Sequence, residues 1–280
     1  MDCNRSIVAM GSGMRVLINW TFGIIKRLGQ PSGVSSPAVP EGICIYAVGD
    51  IHGESRCLEA LLSVITTHYR QRMNEAGERP IIVFLGDYVD RGPDSRGVLD
   101  ILCRFAATDA DGSGPACRFL SGNHEAALRA FLANPVTGAE WLDYGGAETL
   151  ASYGLCTFPH LSDPVTLRDG LEERLPTSHR AFLDLLEPMI TLGDYVFVHA
   201  GVRPGVPLER QRLDDIQWIR EPFLSSRRFH GKVVVHGHTP VDEPQILPNR
   251  IAIDTGAYAT GVLSAISLNG AGNSILKVIR

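Results

Sequence analysis

Short apolar runs alternate with amphipathic segments along most of the chain. Residues 43–48 form a run typical of a buried strand, and the segment after it places apolar side chains on one helical face: Leu58, Leu61, Leu62, Ile65 and Tyr69. The alternation repeats with a strand over 80–86 and a helix beginning at 93–95, then with a strand over 117–121 and a further helix. Three consecutive βα units predict a largely parallel sheet whose polar loops meet at the carboxyl ends of the strands.

The second half of the chain has a different pattern. Residues 135–190 indicate loops and short helices without a strong strand. The later part contains short β-rich runs separated by turn residues, at 194–199, 232–236, 250–254, 262–268 and 274–279. These runs predict a second sheet, mixed or antiparallel. We therefore expect an α/β fold in which two packed mixed β-sheets are flanked by helices, in one domain spanning residues 41–280.

Residues 1–40 differ from this body of the chain. The segment 14–28 is apolar with basic ends, and 31–40 has the composition of a linker. Four apolar residues fall at helical spacing: Leu17, Trp20, Ile24 and Leu28. The pattern predicts a short amphipathic helix in a loosely attached extension, packed on the domain or lying on a membrane surface. Because Asn19 and Gly23 interrupt an apolar run that is already too short to span a bilayer, we expect no stable membrane insertion.

Composition narrows the classes of partner. A net charge of −5 and a pI near 6.0 lack the basic excess of nucleic-acid-binding proteins, so we expect no nucleic-acid partner. The 6 cysteines are scattered, without a Cys-x-x-Cys pair. This distribution is typical of small core residues in a reducing compartment and predicts a cytoplasmic protein.

Residues able to bind metal follow the predicted strands at the points where these strands end. They are Asp50, His52, Asp87, Asn123, His199, His236 and His238. Each alone has a structural alternative: Asp50 and His52 could form a turn that caps a helix, and His199 could be a core histidine bonded to the backbone. Because strand ends converge on one edge in a sheet-based fold, the full set indicates a site with oxygen and imidazole ligands.

Five motifs in order carry a family resemblance: Gly-Asp-Ile-His-Gly at 49–53, Gly-Asp-Tyr-Val-Asp-Arg-Gly at 86–92, Gly-Asn-His-Glu at 122–125, His-Ala-Gly at 199–201 and Gly-His-Thr at 237–239. The set resembles the calcineurin-like metallophosphoesterases, which have an αββα sandwich fold. The Asp-Arg-Gly and Asn-His-Glu forms resemble the bacterial and bacteriophage type of serine/threonine phosphoprotein phosphatase. The resemblance covers about residues 42–270.

The resemblance implies a two-metal site. One divalent ion would be held by Asp50, His52 and a bridging Asp87, and the other by Asp87 together with Asn123, His199 and His238. By the resemblance we expect manganese, although oxygen and imidazole ligands also suit iron or zinc.

The resemblance also implies roles for residues that hold no metal. His124 would protonate the leaving oxygen, with Asp90 orienting its ring. Arg91 and Arg220 would bind the phosphate, because a planar guanidinium fits two phosphate oxygens. The alternative for Arg220 is a salt bridge with Glu221.

Three further residues depart from the ligand pattern or lie beside it. His236 is expected in the core or behind the ligands rather than on the metal, and Asp254 at a hydrogen-bonding position beneath the site. Tyr144 stands where related chains often carry asparagine, which affects the rim of the substrate pocket.

The expected activity is metal-dependent hydrolysis of phosphomonoesters. The substrate class is phosphoserine and phosphothreonine in a phosphoprotein or phosphopeptide, with phosphotyrosine as a further class. Two alternatives stay open: a symmetrical dinucleoside tetraphosphate hydrolase, which shares the metal core, and an inactive metal-bound scaffold. The sequence leaves the oligomeric state open.

Overall fold

A computed structural model of the chain describes residues 10–11, 14–19, 37–155, 163–270 and 272–280. In these ranges the strands are β1 (Met10–Gly11), β2 (Met14–Asn19), β3 (Ile43–Val48), β4 (Arg79–Phe84), β5 (Ala116–Phe119), β6 (Met189–Leu192), β7 (Tyr195–Val198), β8 (Val233–His236), β9 (Gln245–Ile246), β10 (Arg250–Ala252), β11 (Val262–Asn269) and β12 (Gly272–Ile279). The α-helices are α1 (Ser55–Ala76), α2 (Ser95–Ala110), α3 (Asn123–Ala133), α4 (Gly146–Ser152), α5 (Pro164–Arg174), α6 (Thr177–Asp184), α7 (Leu213–Trp218) and α8 (Ala257–Thr260). Two 3₁₀ helices cover Ala139–Tyr144 and Leu208–Arg210.

The strands form one 7-stranded and one 5-stranded mixed sheet. The first has the order β1-β2-β12-β11-β3-β4-β5 and the second the order β6-β7-β8-β10-β9. Strands β3, β4 and β5 are parallel, as the βα pattern predicts. The assignment of 262–268 and 274–279 to the second sheet is wrong, because β11 pairs with β3 and β12 pairs with β11. An apolar run that is buried on both faces specifies a strand but not its neighbour.

Alternating residues of β3 show how the layers are built. Tyr46 faces the helices, whereas Ile45 and Ala47 lie in the apolar layer between the two sheets. The second sheet contributes Phe197 and Val235 to the same layer. Its outer face packs against α7 and the segment that follows this helix. The resulting order of helices, sheet, sheet and helix confirms the predicted architecture of two packed mixed sheets flanked by helices.

The N-terminal segment contains a strand where a helix is predicted. Residues Met14–Asn19 pair antiparallel with β12, Ile18 lying opposite Leu276. The helix prediction is wrong over these residues, because the edge of β12 offers unpaired backbone groups that an apolar segment can satisfy as a strand. The rest of the predicted helix lies outside the described residues. The division of the chain at residue 40 stays a prediction. No helix in the described ranges has both the length and the hydropathy to cross a membrane.

Two glycines allow the ends of β4 and β5 to lie against each other. Gly86 has φ +97°, and a Cβ atom built on it would lie 2.5 Å from the backbone nitrogen of Gly122. A side chain at either position would push apart the two loops that follow these parallel strands. The glycines therefore bring the loop at 86–92 next to the start of α3.

Replacing Gly86 with alanine is expected to destabilise the protein more than the same change at Gly77. Both residues have positive φ, which costs alanine about 1 kcal/mol, but nothing lies within 4 Å of a Cβ on Gly77. The collision at Gly86 should add roughly 1–3 kcal/mol. Urea unfolding of the two variants measures the difference, and equal losses would show that the two loops are not packed as described.

Candidate metal centre

The carboxylate of Asp87 lies at the centre of a buried cluster of histidines. Its Oδ2 atom is 3.3 Å from Nε2 of His199, 3.5 Å from Nε2 of His52 and 3.9 Å from Nε2 of His124. Among the described residues, two groups of potential ligand atoms lie within 4.8 Å of one another: His52, Asp87 and His124, and Asp87, His199 and His238. Asp87 is common to both groups, which is the position that a bridging carboxylate requires.

Asn123 completes the second of these groups. Its Oδ1 atom lies 2.9 Å from Nε2 of His199 and 2.9 Å from Nδ1 of His238. The other ring nitrogen of His199 is 2.8 Å from the carbonyl oxygen of Leu85, which orients the ring with Nε2 toward Asn123. An amide oxygen, a carboxylate oxygen and two ring nitrogens therefore converge, and this donor set suits a divalent cation.

In the group of His52, Asp87 and His124, a backbone carbonyl orients a histidine ring in the same way. Nδ1 of His52 lies 2.9 Å from the carbonyl oxygen of Val89, so Nε2 points toward Asp87.

Asp50 belongs to neither of the two compact groups but borders them. Its Oδ2 atom accepts the backbone N–H of His238 at 2.9 Å. Oδ1 of Asp50 is buried without a hydrogen-bond partner in the described chain. A buried carboxylate oxygen without a hydrogen-bond partner calls for another partner, and a cation would fit this place.

The electrostatics of the cluster also fit cations. Burial and the nearby Asp254 raise the pKa of Asp50 well above its usual range, so a cation would be needed to keep this carboxylate charged. Burial lowers the pKa of His52 to about 3 and that of His238 to about 3, which keeps both imidazoles in the neutral form that binds metal. Burial acts to lower the pKa of His199 as well, but Asp87 outweighs it and raises the value to about 10. Metal binding at His199 would therefore release a proton.

His124 is held by a separate hydrogen-bond network. Its Nδ1 lies 2.6 Å from Oδ2 of Asp90, which also accepts the indole N–H of Trp141 at 2.7 Å, while Oδ1 accepts the hydroxyl of Thr149 at 2.6 Å. Burial acts to lower the pKa of His124, but Asp87 and Asp90 outweigh it and raise the pKa above its ordinary value. The arrangement suits a protonated imidazole in a fixed orientation. The residue pattern did not predict the contribution of Trp141 or Thr149, because neither spacing nor charge marks them.

The two arginines lie at the exposed rim of the cluster. Nη1 of Arg91 is 3.2 Å from Nε2 of His52, and the charge of Arg220 contributes to the lowered pKa of His238. The alternative salt bridge of Arg220 with Glu221 is not found among the described residues, and the carboxylate of Glu221 accepts the hydroxyl of Ser225 at 2.5 Å instead. Both guanidinium groups are therefore available to an anion above the cluster.

Residues that we expected outside the ligand set lie outside it. The ring of His236 packs on Phe223, with centroids 5.0 Å apart, and its Nε2 is 3.3 Å from Nη1 of Arg250. Asp254 is buried and its Oδ1 accepts the backbone N–H of Gly256 at 2.8 Å, which matches a hydrogen-bonding position. Tyr144 is 64% exposed, as a residue of the rim would be.

Glu125 organises the loop that carries Asp87. Its carboxylate accepts the backbone N–H groups of Asp87 at 2.9 Å, Tyr88 at 2.7 Å and Gly122 at 2.9 Å. Sequence reasoning overlooked this residue, although the signal was present: a glutamate three residues after the helix N-cap Gly122 has capping-box spacing. A single side chain thus fixes both loops at the strand ends.

Backbone strain is concentrated in the same cluster. The non-glycine residues with positive φ in the described chain are His52, Asp87, Asp90, Arg91 and His238. Such conformations cost of order 1–3 kcal/mol each and persist where the surrounding structure imposes them, typically at functional sites. All five are candidate site residues, so the strain and the chemical pattern point to one place.

Two packed mixed sheets therefore carry, at their loop edge, a buried cluster of carboxylate, amide and imidazole groups that suits divalent metal ions. The family model of the calcineurin-like phosphoesterases matches residues 44–261, and the chain belongs to that family of hydrolases acting on phosphoesters. The resemblance of the five motifs is thereby confirmed.

Relatives in this family carry two kinds of name. The chain is 27% identical over 242 residues to the asymmetrical bis(5'-nucleosyl)-tetraphosphatase PrpE of Geobacillus thermodenitrificans, covering 79% of this chain and 89% of the relative. It is also 27% identical to serine/threonine-protein phosphatase 2 of Salmonella typhimurium, covering 79% and 90%.

Solved structures support the fold. A candidate diadenosine tetraphosphatase superposes with a TM-score of 0.57 at 24% identity, covering 86% of this chain and 98% of that one. A cold-active protein tyrosine phosphatase gives a TM-score of 0.53 at 17% identity, covering 98% of both chains.

Replacing Asp90 with asparagine is expected to lower kcat by roughly 100-fold or more, because His124 loses the carboxylate that orients it and favours its proton. Trp141→Phe, which removes one hydrogen bond to the same oxygen, should cost roughly tenfold or less. Steady-state hydrolysis of an alkyl phosphate, whose poor leaving group needs the proton, measures both. Metal content measured in parallel should be unchanged in the two variants. Hydrolysis at the wild-type rate by Asp90→Asn would contradict the role of His124.

Proposed function

We propose that the protein is a two-metal phosphomonoesterase that acts as a phosphoprotein phosphatase on phosphoserine and phosphothreonine, with phosphotyrosine as a further substrate class. The observation that carries the proposal is the position of Asp87 between two groups of ligand atoms, with the His124–Asp90 pair beside it. The relative from Salmonella typhimurium named as a serine/threonine-protein phosphatase supports the choice of substrate.

The proposed ligands divide into two sets that share Asp87. Asp50 and His52 would hold one ion, and Asn123, His199 and His238 the other. Manganese is proposed from the family resemblance, with iron or zinc compatible with the same donors. When bound, two such ions would act as Lewis acids toward the phosphate oxygens and toward water.

The remaining residues would bind the phosphate and supply a proton. Arg91 and Arg220 present guanidinium groups at the rim, where they can each donate two hydrogen bonds to phosphate oxygens. His124 would donate the proton on Nε2 to the leaving alkoxide oxygen as the P–O bond breaks. Asp90 holds Nδ1 of the same ring and so keeps Nε2 directed toward the cluster. None of the proposed residues is missing, which disfavours an inactive scaffold.

A dinucleoside tetraphosphate is the second candidate substrate. It is supported by the relatives named as asymmetrical bis(5'-nucleosyl)-tetraphosphatases, whereas the resemblance of the motifs suggested the symmetrical type as the alternative. A side chain at the rim favours it as well: Trp218 is 53% exposed and its ring lies 6.2 Å from that of His238. An exposed indole next to a phosphate site can stack on a nucleobase.

We also propose a cytoplasmic location. It is supported by the four described cysteines, all of which are free: Cys44, Cys57, Cys103 and Cys117.

Asp87→Asn and His124→Ala are each expected to lower kcat on a phosphoserine peptide by roughly 100-fold or more, because one removes the shared ligand and the other the proton donor. The assay uses purified protein with manganese. Arg129→Ala, which removes an ion pair with Asp184 and a hydrogen bond to the carbonyl oxygen of Leu183, neither of them in the cluster, is the control and should retain the wild-type rate. A variant of Asp87 or His124 that retained the rate would sink the proposed mechanism.

The substrate class is decided by comparing a phosphoserine peptide with diadenosine tetraphosphate. We expect the peptide to be hydrolysed with the higher kcat/KM. If the protein hydrolyses the dinucleotide by stacking a base on Trp218, Trp218→Ala should raise the KM for diadenosine tetraphosphate roughly 5- to 100-fold, the range of one base–aromatic stack. Leu213→Ala is the control, because Leu213 lies at the other end of α7 and is equally 53% exposed, and it should leave this KM unchanged. A strong preference for the dinucleotide would overturn the first choice, and its products identify the cleavage: ATP and AMP if asymmetrical, two ADP molecules if symmetrical.

A further inference from the structure

The backbone of Arg91 is fixed, but its side chain has few neighbours. The residue has φ +67°, and its N–H donates to the carbonyl oxygen of Gly145 at 3.2 Å. A Cβ on Gly145 would lie 2.6 Å from the Arg91 nitrogen, so the two loops touch at this point. The residue is exposed and, among the described residues, its guanidinium forms no ion pair with a carboxylate. Its position must therefore depend on other contacts.

Two such contacts are present. Nη1 lies 3.2 Å from Nε2 of His52, and the guanidinium carbon lies 4.9 Å from the centroid of the Tyr258 ring. The first contact competes with metal binding, because Nε2 of an imidazole has a single lone pair, which either accepts from Arg91 or binds an ion. With His52 acting as a ligand, the ring of Tyr258 is the contact that remains.

Tyr258 is well placed to act as a support. Its ring meets that of His52 edge to face, with centroids 5.3 Å apart, so the same ring touches a proposed ligand and the proposed phosphate arginine. It lies on the short helix α8, which is flanked by Gly256 and Gly261, both with positive φ. The turn before it is tied by Thr255, whose hydroxyl donates to the carbonyl oxygen of Val262 at 2.7 Å. The ring is thus presented from a constrained segment at the loop edge.

We propose that Tyr258 is a positioning residue that holds the Arg91 guanidinium against its ring face and so sets the affinity of the site for the dianionic phosphate group. The inference rests on the proposed function, in which Arg91 binds substrate phosphate. The attraction is between a cation and a π system, which needs the aromatic ring but not the phenolic hydroxyl. The face of the Tyr258 ring that meets Arg91 is therefore occupied by the guanidinium.

The inference predicts a specific pattern among variants. Tyr258→Leu should raise KM for a phosphopeptide and the inhibition constant of inorganic phosphate by roughly 2- to 30-fold, the range of one cation–π contact, with a smaller effect on kcat. Tyr258→Phe should behave as the wild type. In an Arg91→Ala background, Tyr258→Leu should have no further effect, because Tyr258 acts through the arginine.

Controls separate this role from a structural one. Tyr69→Leu removes another partly buried tyrosine, on α1, whose ring contacts Tyr46, and should leave both constants unchanged. Thermal melting confirms that each variant is folded. Tyr258→Met, which removes the ring but supplies a flexible side chain that can fill irregular gaps, replaces Tyr258→Leu if the latter does not fold. Arg91→Lys keeps the charge but loses the planar group, and is expected to weaken phosphate binding as Tyr258→Leu does.

Three results would overturn the inference: unchanged constants in the folded ring-deleted variant, Tyr258→Leu or its replacement Tyr258→Met; a loss in Tyr258→Phe as large as in that variant; or full additivity with Arg91→Ala. Failure of the proposed function looks different, because the wild type itself would then hydrolyse no phosphomonoester. In that event, calorimetric titration of the manganese-loaded protein with inorganic phosphate measures the same pattern as dissociation constants. Equal phosphate affinity in the wild type and the Tyr258 variants would then reject the inference.

Discussion

The negative charge of Asp87 is the constraint on which the site depends. The carboxylate is 2% exposed, and ring nitrogens of His199, His52 and His124 lie 3.3, 3.5 and 3.9 Å from its Oδ2 atom. Burial acts to raise the pKa of Asp87, but these imidazoles outweigh it and hold the pKa well below its usual range. A buried charge without full compensation costs several kcal/mol. The surroundings of Asp87 therefore have to supply positive charge, which the proposed ions would do most completely.

The fold meets this constraint by using both sheets. Loops after β3, β4 and β5 of the first sheet supply Asp50, Asp87 and Asn123, and loops after β7 and β8 of the second supply His199 and His238. The contacts of Asn123 with both histidines cross from one sheet to the other. Metal binding would therefore stabilise the packing of the two sheets as well as the chemistry at their edge. His124, the proposed proton donor, is oriented by a separate hydrogen-bond network around Asp90.

Local features of the fold and the site can be predicted from the sequence, whereas most long-range contacts cannot. The parallel β3–β4–β5 arrangement and the clustering of the strand-end residues follow from period and spacing, so they were predicted correctly. The pairing of β11 with β3 and the strand at Met14–Asn19 were not, because an apolar run does not encode which strand edge it will cover. Within the site, Asp87 and His124 are marked by their motifs, but the support from Glu125, Trp141 and Tyr258 comes from distant contacts. Of these, only Glu125 has a local signal, its capping-box spacing.

Whether Asp87 is shared by two ions is tested most directly by the number of metal ions bound per chain. Elemental analysis of protein dialysed against limiting free manganese should find two ions per wild-type chain. Asp50→Asn should retain about one, because it removes a ligand of a single ion, whereas Asp87→Asn should lose most of both. Retention of one full ion by Asp87→Asn, or of two, would contradict a shared carboxylate and with it the proposed organisation of the site.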